Sequence, residues 1–246
     1  QKGGMPIPAK GLRVTAFAAG LDHPRWLHVL PNGDVLVAET NAPAKHDAGF
    51  SLRKLIMNQA MKRAGAATIS ANRITLLRDT NGDGVADVRR IFVEGLNSPF
   101  GMTLSKGKLY VANTDALVAF PYSHGQTRIT APPEKIVDLP AGDINHHWTK
   151  DVIASPDGRK LYVTVGSNSN AGENGIAAEK SRAAVLEVDR SSRSTRVFAS
   201  GLRNPNGLSW NPETGELWVA VNERDEIGDD LVPDYITSVR NGAFYG

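Results

Sequence analysis

Short apolar stretches alternate with turns rich in glycine, proline and asparagine along this chain of 246 residues, and the pattern recurs four times. Each unit opens at a glycine, namely Gly20, Gly95, Gly142 and Gly201. In three of the four units a proline follows four residues after that glycine. Repetition at this scale indicates one supersecondary unit that is used several times.

The pattern predicts four strands in each of the first three units and three strands in the last. The predicted strands cover residues 26–30, 35–39, 73–78 and 89–94 in the first unit, 100–104, 109–113, 117–120 and 135–139 in the second, 150–154, 161–165, 184–188 and 196–199 in the third, and 207–210, 217–221 and 235–239 in the fourth. Units of this size predict an all-β fold, a β-propeller built from four-stranded blades.

Two segments fall outside the repeat. Residues 13–19 predict an extra strand, which could complete the last blade and close a four-bladed ring. Residues 42–71 form an insert in which Ser51 could cap a short helix with apolar residues at helical spacing. That helix could be a lid, a docking helix for an acidic partner, or a solvated insert that only covers the side of the propeller. Because the chain ends within the motif at 241–246, we expect residues 1–246 to be one propeller domain, the N-terminal part of a longer propeller.

Composition narrows the function classes. An apolar content of 41% supports a substantial core, and a net charge of +2 gives no strong field that would select nucleic acid. No apolar run is long enough to span a membrane. The absence of cysteine excludes thiol chemistry.

A calcium site is the first chemical candidate. Oxygen-bearing side chains at Asp79, Asn81, Asp83 and Asp87 alternate with glycines that permit a sharp turn, as hard cations require. The loop is not a complete EF-hand, because Arg90 stands where a bidentate glutamate is needed. A metal-free turn rich in Asp, Asn and Gly remains the alternative.

His146 and His147 stand where the other units carry their proline, in the loop that leads into an innermost strand. A histidine can accept a proton near neutral pH, so His147 is a candidate general base. On an extended chain the two side chains would point to opposite sides. A structural histidine is the alternative.

The equivalent loop of the next unit carries Arg203 and Asn204, a planar cation beside an amide, which suits an anionic or quinone oxygen. Arg203 could instead tie loops together. Residues 222–230 contain five carboxylates that could hold a cation or form a solvated turn.

The order of these motifs resembles the soluble quinoprotein glucose/sorbosone dehydrogenase family, most closely its L-sorbosone dehydrogenase branch. The resemblance is carried by His147, the turn at 156–158, the strand at 161–167, the phrase at 201–208 and the final motif at 241–246. It covers nearly the whole chain, and it implies a six-bladed propeller that carries pyrroloquinoline quinone (PQQ) and calcium.

The resemblance also implies residue roles. His147 matches the family's general base, and Arg203 and Asn204 match the pair that contacts the quinone oxygens. Asp225 and Glu226 align with the loop that holds the cofactor's calcium, although this chain lacks the usual Gly-Pro there. Leu96 replaces an expected glutamine.

These features predict a PQQ-dependent dehydrogenase that oxidises an aldose or aldosone, with a sugar substrate and a separate electron acceptor as partners. The family further implies a periplasmic or secreted location. Two other functions remain open. One is a metal-dependent lactonase using Glu39, Asn113 and Asn222; the other is a propeller that binds a ligand without catalysis.

Overall fold

The computed structural model describes residues 4–43, 69–228 and 230–246, and these residues form four antiparallel sheets. The strands of the first two sheets are β1 Pro24–Val29, β2 Val35–Glu39, β3 Arg73–Arg78, β4 Val88–Val93, β5 Met102–Ser105, β6 Lys108–Ala112, β7 Ala116–Pro121 and β8 Glu134–Asp138. Those of the other two are β9 Val152–Ala154, β10 Lys160–Val165, β11 Ala184–Asp189, β12 Thr195–Ser200, β13 Asn204–Trp210, β14 Leu217–Asn222 and β15 Tyr235–Val239.

Each sheet is a blade whose strands follow chain order. Blades 1, 2 and 3 contain β1–β4, β5–β8 and β9–β12, and blade 4 contains β13–β15. The predicted all-β propeller of four-stranded blades is confirmed, with boundaries that move by at most three residues. The structure shows why the opening glycine recurs, because Gly20, Gly95, Gly142 and Gly201 all have φ between 68° and 110°. L-residues with a side chain rarely adopt that region.

The core lies between the blades. One buried cluster joins blades 1 and 2, where Leu36 and Leu76 meet Leu109 and Val111. A second joins blades 2 and 3, and a third joins blades 3 and 4. Each fully buried aliphatic side chain contributes about 1.5–3 kcal/mol. The innermost strands also approach one another, since an added Cβ at Gly207 in β13 would lie 3.5 Å from the Trp26 ring in β1.

The predicted strand at residues 13–19 is wrong. This segment forms no sheet ladder, and blade 4 keeps three strands. The carbonyl of Phe17 accepts a hydrogen bond from the Ala86 amide, and Arg89 donates to the carbonyls of Ala19 and Gly20. The segment therefore lies beside blade 1 instead of closing the ring. The predicted helical insert falls mainly on residues 44–68, outside the described residues.

Antiparallel pairing sorts the loops into two ends of the propeller. We call the end that carries the links between blades and the β2–β3, β6–β7, β10–β11 and β14–β15 connections the upper face. The other hairpin turns form the lower face. The one described helical segment, the 3-10 turn Ile176–Glu179, is far too short to cross a membrane.

Candidate functional site

His147 lies on the upper face, in the link from β8 to β9. Its Nδ1 lies 2.8 Å from the backbone carbonyl of Ser167 and 3.0 Å from the Ser167 hydroxyl, which itself donates to the Ser169 carbonyl. Since a carbonyl can only accept, we assign the ring proton to Nδ1. The neutral ring then presents the lone pair of Nε2, the atom that can take a proton.

The surroundings of His147 keep this ring neutral. Its pKa falls from 6.5 to about 4, chiefly because burial disfavours the charged ring. The positive charge of Arg203 acts in the same direction, while the hydrogen bond to Ser167 opposes it. An imidazole with this pKa is unprotonated at neutral pH, as a general base must be before it acts.

The expectation that His146 and His147 point to opposite sides is wrong. Their ring centroids lie 4.6 Å apart in an edge-to-face arrangement. The segment is bent, not extended, and the preceding Asn145 has φ of 28°. The two histidines still differ in environment, because His146 is exposed and His147 is half-buried.

Two buried cations hold the loop that carries His147. Lys150 is fully buried, and its Nζ donates to the carbonyls of His147 at 3.4 Å and Trp148 at 3.3 Å. Arg182 donates to the Ala141 carbonyl at 2.9 Å and to Oδ1 of Asn145 at 3.2 Å. The base is therefore fixed through the backbone on both sides of its position in the chain.

Asn204, at the start of β13, lies close to His147 across the backbone of Gly166. An added Cβ at Gly166 would lie 2.5 Å from Cβ of His147 and 2.6 Å from Oδ1 of Asn204. That Oδ1 atom is buried and has no hydrogen-bond partner. A buried polar atom without a partner is costly, and such atoms are often explained by a ligand. Oδ1 can only accept, so a contact of Asn204 with a quinone oxygen would have to use the Nδ2 donor, whereas Oδ1 could accept from a ligand hydroxyl or N–H group.

Arg203 is close to the same point, because its carbonyl accepts the Ser167 amide at 2.7 Å. Its guanidinium, however, is engaged within the protein. Nε donates to the Asn170 carbonyl at 2.8 Å and Nη2 to Oδ1 of Asn170 at 2.6 Å. Nη2 also pairs with Asp225 at 3.0 Å, and Nη1 donates to the carbonyls of Asn222 and Glu223. All five N–H groups thus have acceptors, and Arg203 joins the β10–β11 and β14–β15 loops.

A cavity of about 790 Å³ opens on the upper face between blades 3 and 4. Its wall includes Ser167, Asn170, Arg203, Tyr235 and Tyr245, but not His147 itself. His147 and Arg203 come from the links into neighbouring blades and lie near each other on this face, since Ser167 contacts both of them. Their catalytic and cofactor-binding roles stay predictions.

The predicted metal ligands lie at opposite ends of the propeller. Asp79, Asn81, Asp83 and Asp87 occupy the β3–β4 turn on the lower face, where Asp79 accepts the amides of Gly82 and Gly84, each at 2.8 Å. Asp225 and Glu226 lie on the upper face, where the Asp225 carbonyl accepts the side-chain amide of Asn170 at 3.2 Å. Within the described ranges, no group of three or more His, Cys, Asp or Glu residues is placed to hold a metal ion.

Glu39, a predicted ligand of the alternative lactonase, is already satisfied. Its carboxylate pairs with Arg73 at 3.0 Å and accepts hydrogen bonds from the Thr75 hydroxyl and the Asp22 amide. Through these contacts Glu39 stabilises the start of blade 1, which is a structural role for this strand end and not a metal-binding one.

Sequence reasoning missed the groups that position the predicted residues. Three of these groups, Asn170, Lys150 and Arg182, belong to no motif, and Ser167 ends the 161–167 phrase without a role being assigned to it. All four act through backbone carbonyls or short side-chain contacts. The position of Ser167 immediately after the third blade's second strand was the one signal available, because loops at that place line the upper face.

The fold and the candidate site define a class of protein. It is a β-propeller arrangement of four blades in which polar groups of adjacent blades meet at one end. Residues 6–234 match the family described as TrAA12-like, and the chain belongs to that family.

Proteins similar to this chain include PQQ-dependent sugar dehydrogenases. A PQQ-dependent sugar dehydrogenase of Hypocrea jecorina (strain QM6a) is 20% identical over 232 residues, which are 90% of this chain and 48% of the relative. The chain thus spans about half the length of that curated relative.

Solved structures show the same fold. The iodide structure of the Trichoderma reesei Carbohydrate-Active Enzymes Family AA12 protein superposes with a TM-score of 0.74 at 17% identity, over 98% of this chain and 59% of that one. A calcium structure of the same T. reesei family superposes with a TM-score of 0.70 at 16% identity, over 96% and 56%. The holo PQQ domain of pyranose dehydrogenase from Coprinopsis cinerea gives a TM-score of 0.70 at 17% identity, over 95% and 54%.

Proposed function

We propose that this chain is the base-bearing part of a PQQ-dependent dehydrogenase that oxidises an aldose or aldosone to an acid or lactone. The observation that carries the proposal is the neutral, oriented imidazole of His147, held beside the unpartnered amide oxygen of Asn204. Membership of a family whose relatives are PQQ-dependent sugar dehydrogenases supplies the reaction class.

His147 takes the proton. Nε2 accepts the proton of the substrate hydroxyl at the carbon to be oxidised, while the hydrogen on that carbon departs with its electron pair. With a pKa of about 4, the ring is ready to accept at neutral pH. Ser167 keeps the ring proton on Nδ1 and fixes the orientation of the ring, so that Nε2 is presented throughout turnover.

His147, Arg203 and Asn204 are the residues that would hold the cofactor. PQQ, when bound, supplies a quinone that accepts two electrons with the departing hydrogen. Asn204 would donate to a quinone oxygen through Nδ2, and its unpartnered Oδ1 could accept from a hydroxyl of the substrate. Each N–H of Arg203, by contrast, already has an acceptor inside the protein. Arg203 must therefore exchange contacts with Asn170, Glu223 or Asp225 to donate to a ligand, and a loop movement on the upper face is part of the proposal.

Calcium is the second cofactor in the proposal. The described residues show no preformed cluster for it, and a calcium structure of a family relative is what supports it. No step of the proton transfer described above depends on this ion.

An L-sorbosone-like substrate, an external electron acceptor and a periplasmic or secreted location complete the proposal. These three points rest on the motif resemblance given under Sequence analysis. Nucleic acid is not among the proposed partners.

The test combines reconstitution with one substitution. The protein is titrated with PQQ and calcium, its absorption spectrum is recorded, and dye reduction is measured with aldoses and sorbosone. We expect His147→Ala to abolish dye reduction while the spectral change on PQQ binding persists. His146→Ala is the matched control, because it removes the exposed neighbour, and it should keep most of the activity. Full turnover in His147→Ala would refute the mechanism, and lactone hydrolysis without PQQ would favour the hydrolase.

A further inference from the structure

A second cavity, of about 560 Å³, opens on the lower face between blades 2 and 3, at the opposite end from His147. The β5–β6, β9–β10 and β11–β12 turns and the start of β8 form its walls. Five basic and two acidic side chains line this cavity. The basic ones are Lys106, Lys108, Arg159, Arg190 and Arg193, and the acidic ones are Glu134 and Asp157. The net charge of the lining is +3, whereas that of the whole chain is +2, so the remainder of the chain carries no net positive charge.

The two carboxylates neutralise only part of this charge. Glu134 accepts from Lys108 at 2.6 Å and from Arg193 at 2.5 Å. Asp157 lies 3.6 Å from Arg159. Across the described ranges, neither Lys106 nor Arg190 forms an ion pair within 4 Å, although the charge of Lys106 helps to lower the pKa of Asp157. These two cations are therefore the least neutralised in the cavity.

Arg190 is held in one orientation. Its Nε donates to the Tyr110 hydroxyl at 2.8 Å, and its Nη1 donates to the Gly158 carbonyl. The guanidinium carbon stands 5.1 Å from the centroid of the Tyr110 ring. These contacts leave Nη2 without an acceptor among the described residues. A guanidinium fixed in this way loses little further freedom when it binds an anion.

The position of Lys106 also depends on the neighbouring blade. An added Cβ at Gly158 would lie 2.7 Å from Cε of Lys106 and 3.1 Å from the Ser105 hydroxyl. The missing side chain of Gly158 therefore makes room for the lysine stem, which crosses from blade 2 to blade 3. The cavity brings together a rigid guanidinium and an ammonium group from adjacent blades.

We propose that this lower cavity is a binding site for a tetrahedral oxyanion, phosphate or sulfate, held between Lys106 and Arg190. Arginine offers a planar pair of donors and lysine a compact charge, a combination that suits such an anion. The oxyanion can be a free ion or a group carried on a larger molecule. The site does not depend on the dehydrogenase proposal.

The test is calorimetric titration of the apo-protein with sodium phosphate and sodium sulfate, at constant ionic strength set by sodium chloride. We expect saturable binding to one site. Lys106→Met should weaken this binding about tenfold, the effect of losing about 1.4 kcal/mol. Arg190→Lys keeps the positive charge but removes the planar pair of N–H donors of the guanidinium, so it should also weaken binding. The matched control is Lys135→Met, which makes the same charge change at an exposed lysine on β8, outside the cavity.

The source of the anion is separated by a parallel titration with glucose 6-phosphate. Tighter binding than inorganic phosphate assigns the site to a phosphoryl group on a larger molecule, and equal or weaker binding assigns it to the free ion. The proposal fails if none of the three anions gives saturable binding. It also fails if Lys135→Met weakens binding as much as Lys106→Met, because the effect would then be one of net charge alone.

Discussion

Lys150 offers the sharpest test of the structure, because its charge is buried beneath the His147 loop. Burial, together with the neighbouring positive Arg182, lowers the pKa of Lys150 from 10.5 to about 7. At about 1.4 kcal/mol for each pK unit, keeping the proton on this buried amine costs about 5 kcal/mol of folding free energy. Its two hydrogen bonds, to carbonyls at 3.3 and 3.4 Å, return about 1 kcal/mol each.

The sign of the pH dependence follows from linkage. Between pH 7 and 10.5 the unfolded chain keeps the proton on Lys150 and the folded protein releases it, so the free energy of unfolding rises with pH in this range. Lys150→Met removes the titrating group but keeps much of its volume. We therefore expect the variant to be more stable than the parent by about 3 kcal/mol near pH 6.5. The gain should disappear as the pH approaches 10.

The assay is urea unfolding followed by tryptophan fluorescence at intervals from pH 6.5 to 9.5. Burial raises the pKa of the Asp151 carboxyl to about 7 and that of the Tyr162 hydroxyl to about 12. The contributions of these two groups to the free energy of unfolding therefore change mainly outside this pH range. Lys180→Met, at an exposed lysine on the upper face, is the control and should leave the slope unchanged. If Lys150→Met and the parent show the same slope of stability against pH, then Lys150 is not buried as a cation and the reasoning is wrong.

Three further predictions concern the site. Gly166→Ala should lower dye reduction at least tenfold, because the new methyl group separates His147 from Asn204. The overpacking should also cost about 1–3 kcal/mol of stability, and unchanged activity at unchanged stability would contradict the geometry. Dye reduction should be constant from about pH 6 to 8 and fall below about pH 5 as His147 takes a proton from solvent, since its pKa is about 4; a midpoint near 6.5 in the pH–rate profile would show an exposed histidine instead. Calcium should raise the thermal unfolding midpoint of the parent but not of Asp79→Ala, since Asp79 organises the β3–β4 turn through the amides of Gly82 and Gly84. An equal rise in both proteins would show that this turn is not the calcium site.

The blades could be predicted from the sequence because the information is local and repeated. Turn glycines recur in each unit, and their positive φ angles confirm why no other residue serves there as well. Residues 13–19 misled the same reasoning. Val14 and Phe17 supply apolar positions, but the segment gains only one backbone hydrogen bond to blade 1, and a strand needs a complete ladder.

The place of the candidate site on the fold was predictable from the sequence, whereas the contacts of its residues were not. The odd third copy of the repeat located His147 on the upper face, since a propeller places equivalent loops at the same end. The sequence allowed Arg203 to tie loops together, but its partners were not predictable, because they come from Asn170 and from residues 222–225, which only the closing of two separate hairpins brings together. The same is true of Lys150, whose direction depends on a bend that the sequence does not signal.

Three energetically unfavourable features lie near His147, and they bear on the location of the candidate site without reference to any relative. The buried cation of Lys150, the unpartnered oxygen of Asn204 and the left-handed backbone of Asn145 all lie within the two links that enter blades 3 and 4 from the upper face. Each is unfavourable on its own, and natural sequences keep such features mainly where function requires them. The left-handed backbone belongs to the repeat itself, because His23 and Ser98, three residues after the opening glycines of blades 1 and 2, also have positive φ. Blade 2 likewise has an unpartnered buried oxygen at Asn113. Lys150, by contrast, is the one buried lysine among the described residues. The repeat therefore does not account for the buried amine of Lys150, which donates to the carbonyls of His147 and Trp148, and this is the cost that supports a functional role for the upper face of blade 3.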